Sequence, residues 1–306
     1  MSAAPRYGRA SRLPGRNRHA ERNAGSTSAA RANDPRLVSA RVPDGRRAHH
    51  ALWMFDFDNT LAPLEPAVDW AQSRRELQAW LIARGVAPAL FEEFPRGNLV
   101  LYEALRARLA AGGGPARAIL AGARSAGSKA AAGRGGGLKA AAAPRRMLDG
   151  ASAIIERYEL ARVRTVAPAR GAIELLWALR AAGSAVAIVT SNSSRTIAAW
   201  LRERGAQASV DTIVGRDSGL ALKPSPAMVQ RAMEACGIAA DAAAFVGDSE
   251  ADLRAAAAAA VRFYGMSATS QGRDKLIVMG AAQVFSSPAA LAVHLNLELQ
   301  EAQPDF

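Results

Sequence analysis

The stretch Ala51-Leu52-Trp53-Met54-Phe55-Asp56-Phe57-Asp58-Asn59-Thr60 decides the fold. Five apolar residues run without a break and meet two acids one residue apart. An uninterrupted apolar run of this length is the pattern of a strand buried on both faces, as in a parallel sheet. Carboxylates directly after it stand at the strand's carboxyl end, where open α/β sheets bind their ligands. Alternation along an extended chain sends Asp56 and Asp58 the same way. Asp-x-Asp pairs are common in surface turns, but here a buried strand runs straight into the pair, and capping alone would not need both acids.

Two similar apolar runs follow, Ser184–Val189 and Ala242–Val246, with weaker strand candidates at Val210–Val214 and Val261–Tyr264. Helical patterns lie between them. Ala172–Arg180 puts Ile173, Leu176 and Trp177 on one face, Arg195–Arg204 does the same with Ile197, Trp200 and Leu201, and Pro226–Ala235 opens with proline in its first turn. Strands alternating with helices predict an α/β fold, a doubly wound parallel sheet covered on both faces. More than a hundred residues separate the first two strong strands, too many for one crossover. Helical stretches near 73–84, 98–110 and 146–160 predict a small helical domain there. The expected organisation is a tail over 1–50, a core over 51–66 and 165–306, and a helical cap over 67–164. Within the cap, 111–146 holds 22 Ala or Gly in 36 residues and reads as a flexible insertion.

Three more segments, at strand ends or in a loop, are candidates to carry chemistry: Val189-Thr190-Ser191-Asn192, Lys223-Pro224-Ser225-Pro226, and Gly247-Asp248-Ser249-Glu250-Ala251-Asp252. Each has a mundane counterpart taken alone: a Ser/Thr helix cap, a solvated loop lysine, an acidic helix start favoured by the dipole. Four such segments in this order, each at a strand end or loop, are hard to obtain by chance.

Together they resemble the four motifs of the haloacid dehalogenase superfamily, in the phosphoglycolate-phosphatase-like branch that carries a helical cap between the first and second motifs. The resemblance covers roughly 51–66 and 165–290. It implies a Rossmann-like core and a phosphoric monoester hydrolase acting on a small-molecule phosphate ester. Asp56 would be the nucleophile that forms an aspartyl-phosphate, and Asp58 the acid and base. Thr190 would donate to a phosphate oxygen, assisted by the amides of Ser191 and Asn192, and Lys223 would offset the repulsion between the phosphate and Asp56. Magnesium would be held by Asp56, Asp248 and the backbone carbonyl of Asp58, with Asp252 holding a metal-bound water. Asp58 matters most for the chemistry, because the superfamily's dehalogenases, phosphonate hydrolases and transport ATPases lack an aspartate there.

Composition bounds the alternatives. The net charge of +12 is concentrated outside the motifs: residues 1–50 contribute +8 and 111–146 contribute +7, leaving −3 for the remainder. The basic tail has few large apolar residues and reads as disordered. It could be a tolerated extension, an RNA- or membrane-surface-binding arm, or a transit peptide, but it lacks the apolar region of a secretory signal. A single cysteine, Cys236, excludes an internal disulfide and fits a reducing, cytoplasmic setting. No apolar run is long enough for a membrane span. Nucleic acid is not expected as a partner, since only Tyr7 interleaves with the tail arginines. The competing functions are a sugar phosphomutase of the same superfamily and a non-catalytic nucleic-acid-binding protein using the tail. In the cap, Arg74, Arg75 and Arg96 are conceivable anion contacts or ordinary exposed arginines.

Overall fold

A computed structural model describes residues 50–112 and 136–299. The expectations for the tail, and for the insertion between 113 and 135, lie outside these residues.

The opening stretch forms β1 (Leu52–Phe55), all four residues buried. It pairs in parallel with β2 (Ala185–Val189) on one side and β4 (Ala243–Gly247) on the other. With β3 (Thr212–Val214), β5 (Arg262–Met266) and β6 (Val284–Phe285) they form one parallel sheet in the order β3-β2-β1-β4-β5-β6. The chain winds outward from β1 to β3 and then returns to the other side of β1. The order therefore reverses between β1 and β4, the position where doubly wound sheets open a ligand crevice at their carboxyl ends.

Alternation splits β1 between two cores. Leu52 and Met54 join Phe245, Met228 and Val229 on one face; Trp53 and Phe55 join Val186, Ile188 and Trp200 on the other. Each of these four β1 side chains contributes roughly 1.5–3 kcal/mol by burial. The faces are covered by α5 (Ala172–Ala181), α6 (Ser194–Arg202), α7 (Ala227–Cys236), α8 (Glu250–Ala258), α9 (Ser270–Val278) and α10 (Pro288–His294).

Ahead of these in the chain, between β1 and β2, lie α1 (Trp70–Ile82), α2 (Ala89–Glu93), α3 (Asn98–Ala111) and α4 (Gly136–Val163). Their apolar residues Leu77, Leu81, Leu105 and Ile155 join the same cluster as Leu52 and Met54. The helix α4 begins ten residues before the expected start at 146, inside the Ala/Gly-rich stretch. Ala140–Ala143 are strong helix formers, although Pro144 stands inside the helix. Arg74 is not set up for an anion: it donates to the carbonyls of Phe94 and Gly97 and ties α1 to the start of α3. Arg75 bonds Gln72 on its own helix, and Arg96 is exposed. Among the described residues, no helix is long and apolar enough to cross a membrane.

Candidate active site

The β1 ladder continues one residue past the strand, as the Asp56 N–H donates to Val246 O at 2.8 Å. This fixes Asp56 at the carboxyl end of the central strand, with its residue only 7 % exposed. The chain then folds back on itself. Phe57 O accepts from the amides of Thr60, Leu61 and Ala62, and Asn59 adopts a left-handed φ of 56°. The turn brings the amides of Leu64 and Glu65 onto Asp58 Oδ1, each at 2.9 Å. Burial raises the Asp58 pKa from 3.8 to about 6, against the pull of those amides. A carboxyl group titrating near neutrality is suited to giving and taking a proton.

Lys223 reaches the same point from the loop ahead of α7. Its side chain is 5 % exposed, and its Nζ lies 2.5 Å from Asp56 Oδ1, 2.6 Å from Asp252 Oδ1 and 3.1 Å from Val189 O. Burial works against the ammonium, but Asp252 and Asp56 outweigh it and raise its pKa. Asp252 is held in turn by a capping box at the start of α8: Ser249 N–H and Oγ donate to Asp252 Oδ2, and Asp252 N–H donates to Ser249 Oγ. Asp252 thus anchors Lys223 directly, a role that spacing alone did not suggest.

Gly247 makes this approach possible. A Cβ there would stand 2.6 Å from the Asp252 Cβ, Cγ and Oδ2 atoms, closer than real Cβ contacts allow. Asp248 follows, half-buried. Burial and the neighbouring charge of Asp252 raise its pKa to about 7, with Asp58 adding to the effect. The four expected acids therefore sit within electrostatic reach of one another.

The grouping of possible metal ligands brings Asp252, expected to hold a metal-bound water, in with Asp56 and Asp248. Asp56, Asp248 and Asp252 each place a carboxylate oxygen within 4.8 Å of the others. The Asp58 carboxylate is outside this group because the amides of its own loop hold it. Of the four residues expected around the metal, Asp58 could contribute only its backbone carbonyl. The donor set suits a hard divalent cation, since all the ligands are oxygen and anionic. Charge balance also calls for one: three clustered carboxylates face a single ammonium. Burial, Asp252 and Asp248 push the Asp56 pKa well up although Lys223 touches it. A divalent cation would add positive charge beside Asp56 and Asp248 and favour their ionised forms.

The loop after β2 departs from expectation. Thr190 is buried, but its hydroxyl is already bonded within the loop. It donates to Asn192 Oδ1 at 3.0 Å and accepts from Asn192 N–H at 3.1 Å. The Asn192 amide is therefore not free for an anion, and Thr190 would have to turn its hydroxyl hydrogen to meet a phosphate oxygen. The half-buried Ser191 uses its carbonyl to accept from Arg216 at 2.8 Å. A buried ion pair behind this loop, Glu159 with Arg216, went unnoticed in the sequence. Its members stand in an unremarkable helix and turn 57 residues apart, with no motif spacing to flag them.

The haloacid dehalogenase-like hydrolase family model matches residues 140–266, which include Thr190, Lys223, Asp248 and Asp252 but begin beyond Asp56 and Asp58. A phosphoglycolate phosphatase from Rhodospirillum rubrum is 34% identical over 121 residues, covering 40% of this chain and 50% of that protein. The match thus spans about half the length of that curated relative. Among solved structures, CbbY from Rhodobacter sphaeroides in complex with phosphate has a TM-score of 0.45 and 23% identity, over 81% of this chain and 100% of that one. A haloacid dehalogenase-like family hydrolase from Streptococcus pneumoniae has a TM-score of 0.46 and 15% identity, over 80% and 98%. The segment from 140 to 266, which supplies four strands of the sheet and the lysine and two of the acids of the site, is the part of this chain that matches the haloacid dehalogenase-like hydrolases.

Proposed function

We propose that this protein is a magnesium-dependent phosphatase that hydrolyses a small phosphate monoester through an aspartyl-phosphate on Asp56. One observation carries the reading. At the point where the strand order reverses, Asp56 stands 2.5 Å from Lys223 Nζ and within one ligand group with Asp248 and Asp252, with Asp58 two residues on. Asp56 would attack phosphorus, forming a bond from carboxylate oxygen to phosphorus as the bond to the leaving alkoxide breaks. Asp58, titrating near 6, would give that alkoxide a proton, then take one from the water that cleaves the intermediate. Lys223 lowers the repulsion between an incoming phosphate dianion and Asp56, and Asp252 keeps the ammonium in place. Magnesium, held by Asp56, Asp248 and the Asp58 carbonyl with support from Asp252, would neutralise the carboxylates and the transferring phosphoryl oxygens. Thr190 and Ser191 would contact the phosphate.

We take the helices from α1 to α4 as the cap that bounds the substrate. The name of the Rhodospirillum rubrum relative makes phosphoglycolate the first substrate to try. The test is phosphate release from p-nitrophenyl phosphate and phosphoglycolate. Release should require magnesium, stop with EDTA and resume when magnesium is restored. Turnover indifferent to chelator would count against the metal group. A phosphorylated sugar isomerised without phosphate release would indicate a mutase instead.

A further inference from the structure

Glu159 on α4 and Arg216 after β3 are both 0 % exposed and 2.8 Å apart. A buried ion pair is weak evidence for stability, because apolar side chains of similar volume often serve as well or better. What the pair touches is more informative. Arg216 Nη1 donates to Ser191 O, and its Nε donates to Ser152 Oγ on α4. Glu159 accepts from Asn192 Nδ2 at 3.1 Å, from Ser193 N–H at 3.2 Å and from Thr196 Oγ1 at 3.0 Å. Residues 191, 192 and 193 are thus each gripped by one member of the pair.

The grip extends to Thr190. An ionised carboxylate only accepts hydrogen bonds, so Asn192 must turn its Nδ2 toward Glu159. Its Oδ1 then faces Thr190, whose hydroxyl donates to it. Arg216, Glu159, Asn192 and Thr190 form one chain of bonds from α4 to the tip of β2.

We infer that the Glu159–Arg216 pair is a positioning device that sets the Thr190–Ser193 loop for binding phosphate, and that it does so from helix α4. The inference rests on the proposed reading of this loop as the phosphate-binding segment. Because Glu159 and Ser152 both lie on α4, this grip on the loop holds only while that helix is docked. Neither residue of the pair needs to touch substrate.

The test uses the full-length protein with magnesium. The double variant Glu159→Leu/Arg216→Met removes both buried charges together and so avoids stranding one. It should stay folded by circular dichroism, with Tm within a few degrees of wild type. The inhibition constant of inorganic phosphate should rise about tenfold or more, and kcat/KM should fall comparably, as expected when a binding group is misplaced by an ångström or less. Asn192→Ala breaks the same chain without disturbing the ion pair. It should weaken phosphate inhibition in the same direction and covers the case of a double variant that does not fold. A folded variant of either kind whose phosphate inhibition and kcat/KM stay within twofold of wild type would overturn the inference and leave the pair as a packing strut. A wild-type protein that releases no phosphate would overturn the functional reading, and the inference with it.

Discussion

The charge around Lys223 sets what the site can tolerate. Asp58 and Asp248 have pKa values raised from the ordinary 3.8 to about 6 and about 7, so each resists ionisation in the folded state. A carboxyl group shifted upward gives its full contribution to stability below its unfolded value and loses it as pH rises through the folded value. The metal-free protein should therefore lose thermal stability between about pH 4 and pH 7 on account of these groups. Magnesium binds the ionised forms, so the Tm gained on adding it should be larger at about pH 8 than at about pH 5. A calorimetric Tm that magnesium leaves unmoved at both pH values would refute the metal group. Asp56 and Asp248 stood out in the sequence because each comes at the end of an apolar strand, whereas Lys223 and Asp252 were picked out by the resemblance to the family's third and fourth motifs. The Asp252–Lys223 contact was not, because it depends on how a loop folds back and on the missing Cβ of Gly247. The internal bonding of Thr190 was hidden for a related reason: it is dictated by Glu159, a residue from another element.

At the level of elements, the apolar runs predicted β1, β2 and β4 to within one residue, since strands buried on both faces need no partner context to be recognised. The strand β6 has two residues, too short to show a period. The helix α9 was missed because its sequence is mostly polar, with Leu276 as its one buried residue. The connection from β4 to α8 is the most constrained. Gly247→Ala forces a Cβ into Asp252, which must shift and release Lys223. The substitution should cost about 1–3 kcal/mol of stability, as overpacking does. It should also lower kcat, where an equally destabilising change on α9 would not. Urea denaturation beside steady-state kinetics reads both, and a Gly247→Ala protein of unchanged kcat would show that the Asp252–Lys223 contact is dispensable.

Across the whole molecule, charge and chemistry are separate. The site residues lie between 56 and 252, while the net positive charge comes from 1–50 and 111–146, the remainder being −3. Long-range attraction to such charge is screened beyond about 8 Å at physiological salt. Deleting residues 1–48 should leave kcat/KM on a small phosphate ester within about threefold, the scatter of remote surface changes. A folded truncation without activity would show that the tail reaches the site. The parallel α/β core could be read from the chain because its strands and its acids coincide. The substrate could not, since the helices α1 to α4 pack through ordinary apolar residues such as Leu77, Leu81 and Leu105 that carry no chemical signature.

Covalent catalysis by Asp56 is the central claim, and the kcat of Asp56→Asn tests it most directly. The amide keeps the size of the side chain and can still meet Lys223 through its oxygen, but it cannot attack phosphorus as a carboxylate does. With folding verified and magnesium saturating, kcat on p-nitrophenyl phosphate should fall by at least ~10³, the scale of losing a nucleophile. A variant turning over within about tenfold of wild type would contradict the account.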